Sequence, residues 1–190
     1  KLLLLAAVVS LFVAGTAVVG FPYLVRTVLG LSAQHYGAAE SAMGVAAIFG
    51  SLSVALLAKK LRPRHFSAIF LGFGLCLAPC GVAFCLPLDA FSRYLILLLL
   101  FCAGQFGCSL FSTYAISVIQ ARTPQHLMGK VMSYTFTLSM CAQPVGQILY
   151  GGLFDRFSDS VYWVLIPSGI LVCLIGMASA GFFRRLEQTP

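Results

Sequence analysis

Charges divide the chain into six long stretches that hold almost none of them. The apolar runs occupy residues 2–24, 39–58, 66–86, 94–120, 131–154 and 161–183. A helix needs about 20 apolar residues to cross the hydrocarbon of a bilayer, and a longer one tilts. Every run meets that length. The breaks carry turn residues, namely Pro63, Pro87, Pro124 and the stretch 155–160. Strands of a membrane barrel would be about ten residues long and would alternate strictly, and that pattern is absent. With 190 residues there is room for six spans but for no sizeable soluble domain. Hydrophobic residues make up 60% and charged residues 9%, against about 25% charged in soluble domains. A small core cannot hide that much apolar surface from water. An ordinary soluble enzyme, a secreted disulfide scaffold and a disordered tail are therefore excluded. The expected fold is an all-α membrane protein in which residues 1–190 form a single six-helix unit.

The charges that remain orient it. Lys1, the loop with Lys59, Lys60, Arg62 and Arg64, then Arg122, Lys130, Arg184 and Arg185 fall on one side with the single acid Glu187. Arg26, Arg93 and Arg156 fall on the other with Glu40, Asp89, Asp155 and Asp159. Cytoplasmic loops carry the excess of Lys and Arg. Both termini are thus expected in the cytoplasm, with the protein multi-pass in the cell membrane. A net charge of +7 could suggest nucleic acid, but the cations would then share a face with aromatics. Here they sit between apolar runs, so no nucleic-acid partner is expected. The chain starts at Lys1 without an initiator Met. Its first apolar run reaches Val19, too far for a signal peptide. A fragment or a partial chain is expected.

No carboxylate or ammonium lies deep in any run. Intramembrane carboxylates mark proton and cation paths, so a proton-carrying residue is expected elsewhere. The seven cysteines (Cys76, Cys80, Cys85, Cys102, Cys108, Cys141, Cys173) form no CxxC pair and lie in apolar runs, where they act as small hydrophobes. His35, His65 and His126 stand at loop edges. No spaced ligand set for zinc appears, and no metal, cofactor or catalytic residue is expected.

Polar side chains are unevenly shared. The third and sixth runs hold few, which suits lipid-facing helices. The fourth carries Gln105, Ser109 and Ser112 at i, i+4, i+7, one helical stripe. The fifth carries Ser139, Gln143 and Gln147 at i, i+4, i+8, with Tyr134 and Thr135 before them. An amide facing lipid leaves hydrogen-bonding groups unsatisfied. These stripes therefore either bridge helices, at about 0.6 kcal/mol per contact, or line a substrate path. Substrate-path candidates are Thr16, Gln105, Ser109, Ser112, Gln143 and Gln147. Pro144, inside that stripe and followed by Gly146, is the hinge candidate with it. Small residues four apart (Ala38, Ala42, Ala46, Gly50; Ala68, Gly72, Cys76, Cys80) predict close helix packing.

The stretch 118–124 (Val-Ile-Gln-Ala-Arg-Thr-Pro), Gly129-Lys130-Val131, then Ala142-Gln143-Pro144-Val145-Gly146-Gln147, Gly151 and Asp155 resembles the fourth-to-fifth helix region of a C-terminal half of the major facilitator superfamily. The branch it looks most similar to is that of macrolide-efflux and enterobactin-exporter-like transporters. Lys130 stands where that branch usually has Arg. The family's cytoplasmic signature loop has an echo from Gly50 through Arg64, but its Asp is missing.

The resemblance implies one half of a twelve-helix transporter, with an N-terminal six-helix half as partner. Substrate would bind near the midplane between halves that rock to alternate access. It also implies that the first, second, fourth and fifth helices line the cavity or the contact between halves, and that export runs on a proton gradient. The expected cargo is a bulky, lipophilic small molecule, because amides, hydroxyls and aromatics (Phe106, Phe111, Tyr134, Phe136) come without a fixed charge. The alternative is a half-length membrane subunit that pairs with another six-helix chain. An intramembrane serine protease would need a Gly-x-Ser-Gly turn and a buried His. A mitochondrial carrier would need repeated Pro-x-acid motifs. Neither is present, and no enzymatic activity is expected.

Overall fold

The computed structural model describes residues 2–57 and 65–188. Lys1 and the cationic loop residues Lys59, Lys60, Arg62 and Arg64 lie outside the described residues. Among the described residues all regular structure is helical. Six long helices follow one another: α1 (residues 2–28), α2 (Ala33–Leu57), α3 (His65–Cys85), α4 (Ala90–Arg122), α5 (Met128–Arg156) and α6 (Tyr162–Gln188). A short 3₁₀ turn, Gln125–Leu127, leads into α5.

Several helices overrun their apolar runs, since polar first turns can stand outside hydrocarbon. Helix α2 begins six residues early, taking in His35 and Tyr36. Helix α4 begins at an Asp89 cap, whose carboxylate accepts from the Ser92 amide at 3.0 Å and the Ser92 hydroxyl at 2.7 Å. Gly30, at φ +64°, turns the chain between α1 and α2, a conformation glycine adopts without steric cost. The Tyr94 hydroxyl then donates to the His35 carbonyl at 2.8 Å, fixing the start of α2 to α4.

Five helices are long and apolar enough to cross a membrane: α1 over Ser10–Val28, α2, α3 over Ser67–Cys85, α4, and α6 over Tyr162–Ser179. Helix α5 has the length, at 29 residues. It falls short on apolarity because it carries Ser133, Thr135, Thr137, Ser139, Gln143 and Gln147.

The helices pair as α1 with α5, α2 with α4 and α3 with α6, and α3 also packs along α4. Lipid tails are as apolar as leucine, so close fit rather than water exclusion holds such pairs. Glycines supply the fit. A methyl on Gly169 would meet Ala78 N at 2.8 Å and Gly74 O at 2.9 Å across the α3–α6 seam. One on Gly81 would meet Ile166 Cγ1 at 2.5 Å. Between α2 and α4, Gly50 lies against the Phe106 carbonyl.

These seams keep Gly50 and the buried Cys80 of the expected small-residue stripes and shift the remaining contacts by a residue or two. In α2 the buried face runs through Ala39, Met43, Gly50 and Val54, while Ala38 is exposed. In α3 it is Gly74 and Gly81 that meet α6, and nothing approaches Gly72. The sequence contains small residues on neighbouring faces, and the partner helix selects among them, through Gly169 in the α3–α6 seam and through Phe106 and Ser109 in the α2–α4 seam.

Candidate functional site

Helix α1 is wound in an uncommon way. It is α-helical over Leu2–Val13, π-helical over Ala14–Gly20, α-helical for one turn at Phe21–Tyr23, and π-helical again over Leu24–Val28. Backbone angles stay right-handed through each junction, so the rod does not break. π turns are rare and frequently occur at functional sites. One side of this helix packs on α5. A methyl at Gly15 would lie inside the ring of Tyr150, one at Gly20 would be 2.8 Å from Phe154 Cε2, and one at Gly146 would strike the Leu11 backbone. The Tyr150 hydroxyl donates to Ser168 Oγ at 2.7 Å, and Ser168 in turn donates to the Val164 carbonyl at 2.6 Å. This chain ties α5 to α6.

The other side of α1 opens on a cavity of approximately 430 Å³ between α1, α4 and α5. Helix α1 gives it Ser10, Val13, Ala14 and Val18. Helix α4 gives Gln105, Cys108, Ser109, Phe111, Ser112, Ala115, Ile116 and Ile119. Helix α5 gives Thr135, Phe136, Ser139, Met140 and Gln143. None of these carries a charge. Helices α3 and α6 contribute no residue to it.

Among the described residues, two sets of helical hydroxyls stand in contrast. Ser41, Ser53, Ser117, Thr16 and Thr135 each donate to the carbonyl four residues earlier, at 2.6–2.9 Å, the usual way a helical hydroxyl satisfies itself. Ser109, Ser112 and Ser139 do not, and neither the Gln105 nor the Gln143 amide bonds to another described residue. Five side chains that both donate and accept thus line one uncharged cavity with unused hydrogen-bonding capacity.

Four of the six substrate-path candidates come together here: Gln105, Ser109, Ser112 and Gln143. Two do not. Thr16 is 0% exposed, with its hydroxyl turned back to Phe12 O at 2.7 Å. The π winding puts Ala14 and Val18 on the cavity side, and Thr16 on the other. Gln147 is half-buried and outside the lining, beside the point where Gly146 seats on Leu11. Of the aromatics, Phe111 and Phe136 line the cavity, whereas Phe106 and Tyr134 are exposed away from it. Pro144 is exposed within an unbroken α5, and the buried Gly146 is a packing contact. Sequence reading passed over Ser10, Ala14 and Val18. Their four-residue spacing on α1 was the available signal, but Thr16 is the only hydroxyl at mid-helix and drew the choice. Ser139 was on the α5 stripe and stands in the lining.

Among the described residues no group of three or more His, Cys, Asp or Glu side chains could hold a metal ion.

The sequence profile of the Major Facilitator Superfamily matches residues 1–146, from the start of α1 through the polar half of α5. No curated protein and no solved structure matches the chain. A multi-pass helical unit with the architecture of one half of that fold, matched over most of its length, leads to one assignment: the chain belongs to the Major Facilitator Superfamily.

Proposed function

We propose that this chain is one half of a secondary transporter of the cell membrane, exporting a bulky, lipophilic, uncharged small molecule by alternating access. The observation that carries this reading is the uncharged cavity between α1, α4 and α5, whose wall keeps two amides and three hydroxyls without intramolecular partners. A polar group left idle inside a membrane protein costs free energy unless something binds it. A ligand that offers a few oxygens or nitrogens and otherwise fills apolar space against Val13, Ile116, Phe136 and Met140 recovers that cost. Carboxylates and phosphates would find no cation there. Both termini are cytoplasmic in this reading, export is driven by a proton gradient, and the proton-carrying residue belongs to the other half.

The partner six-helix half would cover α2 and α5. Each packs mainly on a single neighbour and leaves large apolar side chains uncovered, such as Leu56 at 81% exposure and Ile148 at 76%. These faces also support the second reading, a half-length subunit pairing with a separate six-helix chain. Native mass in mild detergent separates the two: a single polypeptide with twelve helices supports the first and a complex of two six-helix chains the second, while a lone six-helix chain that transports as a monomer contradicts both.

The cavity reading is tested by replacing Gln105 and Gln143 together with Leu in the intact transporter. Loss of drug export by at least tenfold at equal membrane abundance is expected, roughly the 1.4 kcal/mol or more that two ligand hydrogen bonds contribute. Gln147→Leu is expected to leave export within twofold. Unchanged export in the double variant removes the cavity from the path.

A further inference from the structure

We infer that Tyr150 is a positioning residue for the cavity wall: with Phe154 it holds α1 in its π winding, and release of that hold swings Phe21 from the core onto the cavity stripe. The argument starts from register. Tyr150 and Phe154 are four apart on the α-wound α5 and therefore lie one above the other on the face it turns to α1. The glycines that receive their rings, Gly15 and Gly20, are five apart on α1.

In an α-helix each residue turns about 100°, so residues five apart point roughly 140° away from each other. Gly20 would then face away from Phe154. With i→i+5 winding, residues five apart stack. The hydrogen bonds follow suit, since the Phe21 amide donates to the Thr16 carbonyl. An added Cβ on Gly20 would lie 3.5 Å from the Gly15 carbonyl oxygen, as stacking requires. Both rings find a glycine only while this window stays π-wound. The Tyr150 hydroxyl, held by Ser168 at 2.7 Å, fixes the first ring in place.

The same window determines what α1 shows to the cavity. The wall residues Ser10, Ala14 and Val18 stand four apart. A continuous α-helix would instead present Ser10, Ala14, Ala17 and Phe21, at i, i+4, i+7 and i+11. Ala17 now lines a small separate void with Thr16, Cys76 and Cys80, which adjoins the cavity at Val13 and Gln105. Phe21 is 0% exposed, its ring 4.9 Å from that of Phe101. Rewinding to α therefore removes Val18 from the wall and adds Ala17 together with a bulky aromatic ring at the outer end of the cavity. Helix α1 is thus a two-state wall: in the π state Phe21 is stowed and the cavity is open, and in the α state Phe21 narrows it. Its consequence for cargo rests on the cavity being the transport site, but the winding claim itself does not.

The test reads winding without transport. Ala17→Cys and Val18→Cys are made singly in the full chain in membranes, labelled with N-ethylmaleimide, and quantified by peptide mass spectrometry so that the native thiols stay in place. With Tyr150 intact, the position-18 reporter is expected to react at least tenfold faster than the position-17 reporter. In a Tyr150→Ala background, position 17 is expected to speed up and position 18 to slow down, reversing the order. Loosened packing alone would raise both rates, and that result, or an unchanged ratio in a folded variant, overturns the proposal. Should Tyr150→Ala not fold, Gly15→Ala removes the ring's seat from the α1 side, and the same reversal is required. Tyr150→Phe keeps the ring and frees it from Ser168, so it must shift the ratio part of the way. A reversed ratio with export unaffected would keep the rewinding and sink the cavity reading, whereas a fixed ratio with export abolished by the Gln105 and Gln143 replacements would do the opposite.

Discussion

Helices α1 and α5 meet across glycines, and so do α3 and α6, yet only the first pair borders a cavity. In the α3–α6 seam backbone meets backbone at Gly74 and Gly169, while Gly81 takes the Ile166 side chain. The neighbours of Gly169 are the Ala78 amide and the Gly74 carbonyl, and those of Gly74 are Gly169 O and Cys173 Sγ. The Cys173 thiol points to the Leu71 carbonyl at 3.7 Å, and Ser168 spends its hydroxyl within its own helix. The α1–α5 seam has one such contact, Gly146 on Leu11. Its other two glycines receive aromatic rings. A backbone contact has one geometry, but a ring on a glycine can withdraw. The lesson is that equally tight seams differ in what they permit: the dry seam fixes two helices, while the seam beside the cavity leaves α1 a second winding.

The largest effect that follows concerns added methyl groups. Gly169→Ala forces the α3 backbone to move, and overpacking of that kind costs about 1–3 kcal/mol, sometimes more. Gly20→Ala meets Phe154 Cε2 and Cζ at 2.8–2.9 Å, atoms at the far end of a side chain that can turn. Thermal unfolding in detergent is expected to show the loss for Gly169→Ala to be at least twice that for Gly20→Ala. Gly72→Ala, with nothing within 4 Å of its added methyl, is expected to stay within about 0.5 kcal/mol of the parent. Equal losses at Gly169 and Gly20 would erase the distinction between the seams.

Much of this distinction was legible in the sequence. A helix lies over each of the six uncharged runs, and five of them are long and apolar enough to cross a membrane, because a bilayer imposes length and forbids charge. The stripe Gln105, Ser109, Ser112 lay on one face because α4 is regular there, and periodicity reads regular helices well. That Val18 and not Thr16 stands in the lining was not legible, for the opposite reason. Their faces are set by a π winding that tertiary contacts select, and no period of 3.6 encodes it. Gln147 stands outside the lining because Gly146 brings α1 against α5 beside it, a contact formed with a residue more than a hundred positions away. Small-residue stripes told that helices pack closely but not along which of two adjacent faces, since that depends on the surface the partner helix presents.

A smaller effect separates hydroxyls of the two kinds. Ser53 donates to Phe49 O at 2.6 Å and needs no ligand. Ser109 and Ser139 look into the cavity without a partner. Ser53→Ala is expected to change neither stability nor transport beyond experimental scatter. If the cavity binds the cargo as proposed, Ser109→Ala and Ser139→Ala each lower the apparent affinity of the transported compound two- to tenfold, the range of one neutral hydrogen bond of about 0.5–1.5 kcal/mol, with unfolding temperature unchanged. Transport titrations at equal abundance measure it. Equal behaviour of Ser53 and Ser109 would mean that the cavity hydroxyls serve helix packing, like the others.

The smallest effect is one that both seams should feel alike. Helix α4 packs along α3 and lines the cavity, and its first turn hangs on Asp89. Hydrogen bonds from the Ser92 hydroxyl, and then from the Ser92 amide, hold the Asp89 carboxyl below its ordinary value of 3.8. A group whose folded value is depressed stabilises the fold above its unfolded value, and that contribution fades as pH falls through the folded one. Unfolding temperature should therefore be insensitive to this cap from pH 7 down to about 5 and fall more steeply below about 4, the ordinary range for an aspartate. Asp89→Asn retains a good cap but cannot titrate in this range, so it is expected to flatten the acid limb while leaving the neutral-pH value almost unchanged. Because α4 touches both regions, accessibility reporters at the α3–α6 seam and at the cavity should loosen together on the acid side. Loosening of the cavity alone would show that the outer end of α4 is coupled to α1 independently of α3, and the two seams would then differ in their anchoring as well as in their packing.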